Sequence, residues 1–420
     1  GFAVIAAETG MRDLAALSAA PASALPGFML LGLGFLIKTA AVGLHVWMPG
    51  AYAEAPDDVS AMLSAVVSKV AIFGLFMATY VALRGDLGSD FNYGLAWIGM
   101  ATTIVGAVLA LSQTDIKRLL AFSSMSQLGY IITAVALISH IGWVTALYLV
   151  ANHMLVKGIL FLAIAGIIMR TSTRSLHDLG GLAPAMPLTC VVIGVALLSM
   201  SGLPPLMGFG GKWLLLSAMV DKGWTGLAVA GAFATFQGLW YMLRLFTAFF
   251  LRPPPTKMQS PEEAPAILFV AHVALIGGIL ILSLFPKLLM EPVSAAIDPV
   301  FAANLVWQGQ SLETIYGLWD PAPVMGLSVA AAAILFLGWR GLSRLLGHRL
   351  SLGDWIITAR PLPAKATPPL AETFWRATDR ATHRIAAVTQ HIYTGDGQTY
   401  VLWVLAYFLA LTFAWTLSGA

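Results

Sequence analysis

Apolar segments dominate this chain, and short polar or proline-containing stretches separate them. A membrane-spanning helix needs about 20 consecutive apolar residues. Segments that approach this length predict helices at 27–48, 59–83, 93–111, 119–138, 142–169, 187–204, 207–220, 224–251, 265–285, 323–339 and 400–418. The pattern therefore predicts an all-α fold, a polytopic bundle of transmembrane helices.

Glycine and proline interrupt this pattern in two places. Pro204-Pro205 separates two of the predicted spans, and Pro49-Gly50 follows the first one. Proline removes a backbone donor, and a break inside a membrane is tolerated only where protein or water satisfies the freed groups. Short, interrupted segments in two places are typical of a transport site. We therefore expect two broken helices.

Two stretches do not have the pattern of a membrane span. Residues 286–322 predict a connecting loop with Trp307, Tyr316 and Trp319 as interfacial anchors. Residues 340–398 are polar and basic, and an amphipathic helix is predicted within them. The expected organisation is a leading segment at 1–26, a helical core at 27–251, further helices and a loop at 252–339, the basic lateral segment at 340–398 and a final helix at 399–420.

Composition supports the membrane assignment. The chain is 59% hydrophobic and 10% charged, with a mean hydropathy of +0.83, whereas soluble domains carry about 25% charged residues. The net charge of +3 is small and gives no indication of nucleic-acid binding. The lone Cys190 excludes an internal disulfide and a cysteine-ligated cluster built by this chain alone. No metal-ligand spacing or phosphate-binding loop is present in the sequence, so no metal and no cofactor are predicted.

Four lysines and one histidine inside otherwise apolar segments are the candidate proton carriers, and no Asp or Glu lies in the predicted spans. The five are Lys38, Lys69, His153, Lys157 and Lys212. A charged side chain at mid-bilayer costs about 3 kcal/mol or more, and such residues usually face a bundle interior or a water path. The simplest use of these residues is to hold and pass protons.

His153 and Lys157 are four residues apart, so they share one face of their helix. Imidazole titrates near physiological pH, and burial disfavours the charged form of lysine. The two therefore make a plausible relay step, although a pair that only caps or snorkels is the alternative. Lys38 and Lys69 lie too deep in their spans to snorkel easily. Lys212 follows the proline break and is either a snorkelling group or the exit group of the path.

Three further residues could take part in a relay or gate it. His45 lies near a predicted helix end, where an interfacial hydrogen bond is as plausible as a relay role. Asp115 and Lys117 lie in a polar interruption between two spans. They could gate access of water, and turn electrostatics explains them almost as well.

Four segments in this order resemble one family: HVWMPGAYAEAPDDVSAMLSAVVSKV at 45–70, LSQTDIKRLLAFSSMSQLGY at 111–130, NHMLVKGILFL at 152–162 and SGLPPLMGFGGKW at 201–213. They are similar to the antiporter-like subunits of respiratory complex I, the large membrane subunits of energy-converting hydrogenases and Mrp-type sodium/proton antiporter subunits. The resemblance covers roughly residues 27–250.

The resemblance implies a role for each buried cation. Lys38 corresponds to the lysine of the first broken helix, which the family pairs with a glutamate on an earlier helix. The other correspondences are Lys69 to a relay position, His153 and Lys157 to the central relay, Lys212 to the terminal lysine and Lys117 to a basic position of the path. Residues 340–398 resemble a shortened lateral arm. No span of this chain supplies the glutamate, so we expect another polypeptide segment or chain to supply the missing N-terminal helices and a carboxylate near Lys38.

These observations predict a proton-translocating subunit of a multi-subunit, redox-driven membrane pump, complex I-like or hydrogenase-like. Such a subunit holds no redox cofactor and breaks no bond itself, and its partners are lipid and other membrane subunits of the complex. The alternative is a subunit of an Mrp-like cation/proton antiporter or of a proton-driven system for inorganic-carbon uptake. A purely structural subunit is disfavoured, since the relay positions are all ionisable. The expected location is the inner membrane of a bacterium.

Overall fold

The computed structural model describes residues 1–10, 25–83, 89–255, 261–297, 305–314 and 317–345, together with residues 380, 384, 406 and 409. Tyr316 and nearly all of the basic lateral segment and of the predicted final helix lie outside these residues. The described part is an α-helical bundle with one small sheet, so the all-α prediction is confirmed.

The helices follow the chain in two groups around the polar turn at 172–186. The first group comprises α1 (Phe2–Thr9), α2 (Leu25–Lys38), α3 (Trp47–Glu54), α4 (Asp57–Met62), α5 (Ser68–Leu83), α6 (Ser89–Ser112), α7 (Ile116–Ala136) and α8 (His140–Thr171). The second comprises α9 (Pro187–Ser201), α10 (Met207–Asp221), α11 (Thr225–Phe246), α12 (Ala266–Leu284), α13 (Lys287–Ala296) and α14 (Pro321–Leu345). Short π-helical segments, Leu63–Val67 and Thr247–Leu251, follow α4 and α11.

Six helical stretches in the described part are long and apolar enough to cross a membrane. They are Asp57–Thr79, Phe91–Ser112, Ile116–Ala136, His140–Thr171, Thr225–Leu251 and Ala266–Leu284. Three shorter apolar helices of the described part accompany them: Pro26–Lys38, Pro187–Ser201 and Pro321–Ala331, of which the first two precede the breaks. The protein is therefore a polytopic integral membrane protein.

Helix α7 lies at the centre of the bundle, and its whole apolar length is buried. Glycines allow α6 and α7 to pack closely: a Cβ atom on Gly129 would lie only 2.5 Å from the carbonyl oxygen of Gly99. Thr133 of α7 also donates to the Ala96 carbonyl at 3.2 Å. Small residues and hydroxyls at a helix interface are what holds helices together in a bilayer, where lipid removes the hydrophobic drive.

The first broken helix differs from its prediction in position. A continuous span at 27–48 was expected, with the break at Pro49-Gly50, but α2 ends at Lys38 and the break occupies residues 39–46. Ala40 and Gly43 take positive φ angles of 57° and 86° there. Pro49 lies in the first turn of α3, where its missing N–H has no intrahelical partner to lose.

The second broken helix is where the sequence places it. Helix α9 ends at Ser201 and is capped by Gly202, and α10 begins at Met207. The φ of 78° at Gly202 is one that glycine adopts without strain. Gly208 brings the two halves together, because a Cβ atom there would lie 1.7 Å from the Ser199 carbonyl oxygen. At the start of α9, the Glu263 carboxylate accepts hydrogen bonds from the Leu188 N–H and the Thr189 hydroxyl. The chain therefore has two broken helices.

The described parts of residues 286–322 contain more regular structure than the predicted loop. They contain α13 and an antiparallel sheet of β1 (Trp307–Gln308), β2 (Ser311–Thr314) and β3 (Gly317–Trp319). Trp319 is not an exposed interfacial anchor: its ring is buried against Gly210 of α10 and meets the Tyr148 ring edge-on at 6.4 Å. Helix α14 continues to Leu345, past the predicted boundary at residue 340.

Candidate functional site

Lys157 lies near the middle of the 32-residue helix α8 and is fully buried. Its ammonium donates to the Leu120 carbonyl oxygen at 3.0 Å and to the Ser123 hydroxyl at 2.5 Å, both on α7. Both acceptors are neutral. A neutral cage satisfies the charged form without holding it there as a carboxylate would, so this lysine can exist in either protonation state.

Lys69 lies near the same region, in the first turn of α5. It is buried, and it is the second residue after the π-helical segment Leu63–Val67. Its ammonium donates to the Ser64 carbonyl oxygen within that segment and to the Ser68 hydroxyl at 3.2 Å. π-Helical turns are frequent at functional sites because they free backbone carbonyls from the regular helical pattern.

Serine hydroxyls connect the surroundings of these two lysines. The Ser64 and Ser124 hydroxyls lie 3.0 Å apart, and Ser124 donates to the Leu120 carbonyl oxygen at 2.9 Å. Lys157 donates to that same oxygen. Ser64 thus contacts Lys69 through its carbonyl oxygen and Ser124 through its hydroxyl, and Ser124 and Lys157 share the Leu120 carbonyl oxygen as an acceptor. Sequence reasoning did not identify these serines.

His153 is buried one turn before Lys157 on α8. It interacts electrostatically with both Lys69 and Lys157. Neither ring nitrogen has a hydrogen-bond partner among the described residues. Buried polar atoms of this kind are normally satisfied by ordered water. The predicted pair is therefore brought together with Lys69, and His153 faces a site suited to hydration.

Lys212 lies beneath the second break and is buried rather than snorkelling to a surface. Its ammonium donates to the Met200 and Ser201 carbonyl oxygens at 3.0 Å each, at the end of α9. It also lies 4.9 Å from the centre of the Tyr130 ring of α7. The negative end of a helix dipole and an aromatic face both favour a cation there.

Polar side chains lie between the Lys157 and Lys212 regions. Asn152 accepts from the Ser199 hydroxyl at 2.7 Å, which ties α8 to the end of α9. Tyr241 of α11 faces Ser126 and Gln127 of α7. The hydroxyls of Tyr241 and Ser126 are buried, and neither meets the geometry of a hydrogen bond with a described residue. This cluster is a second place suited to ordered water.

Lys38 is not enclosed by the described residues. It is exposed as the last residue of α2. It lines a cavity of about 340 Å³ whose other walls are mostly apolar, including Leu31, Phe35 and Val70. No salt bridge joins Lys38 to any described residue. The cavity leaves its ammonium open to whatever packs beside α2.

His45 and Asp115 have local contacts that the sequence left open. His45 is buried beside Phe122, with ring centres 6.2 Å apart. Asp115 caps α7 by accepting from the Arg118 N–H at 3.0 Å, and it lies 3.5 Å from Arg174. Asp115 thus does what turn electrostatics predicts.

Lys117 is buried at the start of α7 and forms an ion pair. Its ammonium lies 2.8 Å from an Asp57 carboxylate oxygen and donates to the Ala55 carbonyl oxygen at 2.6 Å. It is therefore the one lysine of the predicted set that a carboxylate holds within the described part of the chain.

His, Cys, Asp and Glu side chains do not come together in groups of three or more that could hold a metal ion, as far as the described residues extend. Carboxylates in the membrane-spanning helices of this part occur only at helix ends, as at Asp57, Asp58 and Asp221. The site is therefore built from amines, one imidazole, hydroxyls and carbonyl oxygens.

The sequence matches a known family over residues 1–238, described as the transmembrane region of NADH:quinone oxidoreductase and Mrp antiporter proteins. NADH-quinone oxidoreductase subunit N of Desulforudis audaxviator is 33% identical over 63% of this chain, and the match covers 55% of that relative. Hydrogenase-4 component B of Escherichia coli is 27% identical over 98% of this chain and 73% of that relative.

Among solved structures, a chain of an archaeal respiratory complex, the membrane-bound sulfane sulfur reductase, has a similar fold. The TM-score is 0.71 with 25% sequence identity, over 98% of this chain and 73% of that one. The chain therefore spans little more than half of its first curated relative and about three quarters of the two that it matches throughout.

Proposed function

The chain belongs to the NADH:quinone oxidoreductase/Mrp antiporter transmembrane family, and from this premise we propose that it is a proton-translocating subunit of a multi-subunit redox-driven pump. The observation that carries the proposal is the joined pair of buried lysines. The contact between the Ser64 and Ser124 hydroxyls links the surroundings of Lys69 to the Leu120 carbonyl oxygen that accepts from Lys157, and His153 lies in electrostatic range of both lysines. Such a cluster can hold protons, and its task involves no breaking of a covalent bond.

Protons move along the buried cations in this proposal. Lys38 passes a proton towards Lys69, the pair of Lys69 and Lys157 exchanges it with the help of His153, and Lys212 releases it at the second break. Water at the unpartnered polar groups of α7, α8 and α11 completes the path. His45 and Lys117 are further candidates for relay or gating.

Coupling between the steps is electrostatic. Two unit charges about 7 Å apart interact by about 2 kcal/mol at an effective dielectric constant near 20. That energy changes a proton-binding equilibrium by more than about tenfold, since 1.4 kcal/mol is one factor of ten. The charge on one lysine therefore controls whether the next one binds or releases its proton.

The second candidate is a subunit of an Mrp-like cation/proton antiporter or of a proton-driven system for inorganic-carbon uptake. The family itself includes Mrp antiporters, which is the observation that favours it. In either case the described relay suits protons better than sodium. The buried titratable groups of the relay are amines and an imidazole, which bind protons and, when charged, repel Na⁺.

Relatives of this chain are subunits of respiratory-type membrane complexes, and its partners are other membrane subunits of one such complex. We place the chain in the cytoplasmic membrane of a bacterium. A further segment or chain is proposed to cover α2 and to supply the carboxylate near Lys38.

Substitution Lys157→Ala tests the proposal. Inverted membrane vesicles carrying the intact complex should lose coupled proton uptake, while the complex still assembles. Lys287→Ala is the matched control, because Lys287 lies on α13 beside Glu291 and outside the relay. Wild-type uptake by an assembled Lys157→Ala complex would contradict the relay. Uptake that follows a reduced electron carrier supports the redox pump, and uptake that follows only a sodium gradient supports the antiporter.

A further inference from the structure

The ion pair of Lys117 and Asp57 has one buried and one partly exposed partner. The Lys117 side chain is 3% exposed, whereas the Asp57 side chain is 32% exposed. Their charged atoms lie 2.8 Å apart. The carboxylate is therefore the more accessible partner, and the ammonium is enclosed by protein.

Lys117 lies on the face of α7 that leads to the lysine pair. Residues 117, 120 and 124 follow a helical spacing of three and four, so they lie along one side of α7. Leu120 and Ser124 are the residues that connect the Lys69 and Lys157 cages. The backbone distance from residue 117 to residue 124 is about 10 Å along the helix axis. Two or three water molecules span such a distance.

Other charged groups surround the ion pair, and most of them are already paired with one another. Arg174 lies 3.9 Å from Glu54 and 3.5 Å from Asp115, and it donates to the Ala53 carbonyl oxygen. The remaining charged groups of the same region, Asp58 and Arg118, form no salt bridge with a described residue. Asp57 is therefore the carboxylate that faces Lys117.

We propose that Asp57 is a proton-loading carboxylate, and that the Asp57–Lys117 pair is the aqueous mouth through which protons reach Lys69 and Lys157. This inference rests on the proposed function and adds a residue and a point of access to it. It commits Lys117 to the mouth of the path rather than to a place among the mid-membrane relay groups.

The steps balance in protons. The Asp57 carboxylate binds a proton from water, and the neutral carboxyl no longer holds the Lys117 ammonium electrostatically. Lys117 then releases its proton inward, through water along α7, to a neutral Lys157 or Lys69. The Asp57 carboxyl transfers its proton to the Lys117 amine, and both groups return to their starting charges. One proton has moved from water to the lysine pair.

A purely structural role makes a different prediction. Lys117 also donates to the carbonyl oxygen of Ala55, the residue that caps α3. This hydrogen bond holds the connection between α3 and α4 against α7. If that were its whole role, removing the Asp57 charge would lower stability, and the pH dependence of transport would stay unchanged.

The test compares Asp57→Asn with Asp58→Asn in the intact complex. Asp58 carries the same charge in the same helical turn, is exposed and does not contact Lys117. Asp57→Asn should lower proton uptake by about a hundredfold, the lower end of what a positioned proton-transfer group typically contributes. It should also shift the pH profile of uptake. Asp58→Asn should keep both rate and profile, and Asp57→Glu should restore much of the rate.

Each outcome has a distinct meaning. Equal uptake and equal pH profiles for the two Asn variants would overturn the inference and leave the ion pair as a structural contact. Lys157→Ala in the same assay separates this failure from failure of the proposed function, since full uptake by that variant would remove the relay itself. If Asp57→Asn does not assemble, the exchange Asp57→Lys with Lys117→Asp keeps the contact but buries the carboxylate. The exchanged complex should assemble without uptake, and wild-type uptake would again overturn the inference.

Discussion

At the scale of single residues, the acceptors around a buried lysine determine how readily it can lose its proton. Among the described residues, the hydrogen-bond acceptors of Lys69, Lys157 and Lys212 are hydroxyls and carbonyl oxygens. An ionised carboxylate partner favours the charged ammonium, so a lysine with such a partner can release its proton only after the carboxylate itself is protonated, as proposed for Lys117 and Asp57. Neutral acceptors leave a lysine free to lose and regain its proton, which is what a relay requires.

Substitutions at Lys212 test whether this position must carry a proton. We predict that Lys212→Glu keeps more proton uptake than Lys212→Leu, because a carboxyl group can bind and release a proton beside the break and leucine cannot. The Glu variant should remain below the unsubstituted protein, since only its protonated form can donate to the Met200 or Ser201 carbonyl. The measurement is uptake by vesicles with equal amounts of assembled complex. Equal uptake by both variants would show that the site only anchors α10.

Sequence reasoning found the lysines and missed the groups that hold them. A lysine within an apolar span is conspicuous, so Lys69, Lys157 and Lys212 could be predicted to be buried, and they are. Ser64 and Ser124 gave no signal, because a serine in a helix can bond its own backbone and often has no other role. Lys38 was predicted to lie deep in a span, but the helix ends there and the residue is exposed.

At the scale of elements, both broken helices could be predicted, but only one could be placed. Pro204-Pro205 lies at its break, between α9 and α10. Pro49 misled because proline ends a helix that precedes it and also starts one that follows it, and here it starts α3. The actual break uses Ala40 and Gly43 in left-handed conformations, and alanine carries no sequence signal for that.

The contact between α10 and the sheet predicts a size limit at Gly210. A Cβ atom there would lie 2.2 Å from the Trp319 ring, so Gly210→Val should destabilise the protein by about 1–3 kcal/mol through overpacking. Gly277→Val on α12 is the control, because nothing lies within 4 Å of its Cβ position. Thermal unfolding of the detergent-solubilised complex measures both. A second change, Trp319→Phe, should recover part of the loss, and equal melting of the two valine variants would contradict the packing argument.

At the scale of the whole molecule, the described path is enclosed at one end and open at the other. Lys157 and Lys212 are covered by helices of this chain, whereas Lys38 lines a cavity at the edge of the bundle, between α2 and α5. Because the predicted spans contain no acid, the sequence leads to the expectation that another segment or chain supplies a carboxylate at the open end. The organisation of residues 340–420 stays a prediction, since nearly all of that segment lies outside the described residues.

The open end leads to a prediction about the intact assembly. An ammonium at membrane depth among apolar walls is costly without a counterion. We therefore expect a carboxylate from another segment or chain to lie within about 6 Å of Lys38, the range over which an opposite charge stabilises an ammonium. The helix that carries it should pack over the cavity lined by Leu31, Phe35 and Val70. A structure of the complete complex decides this directly. If Lys38 instead faces lipid, with no acidic group from any chain in that range, the proposed proton path must begin at Lys69.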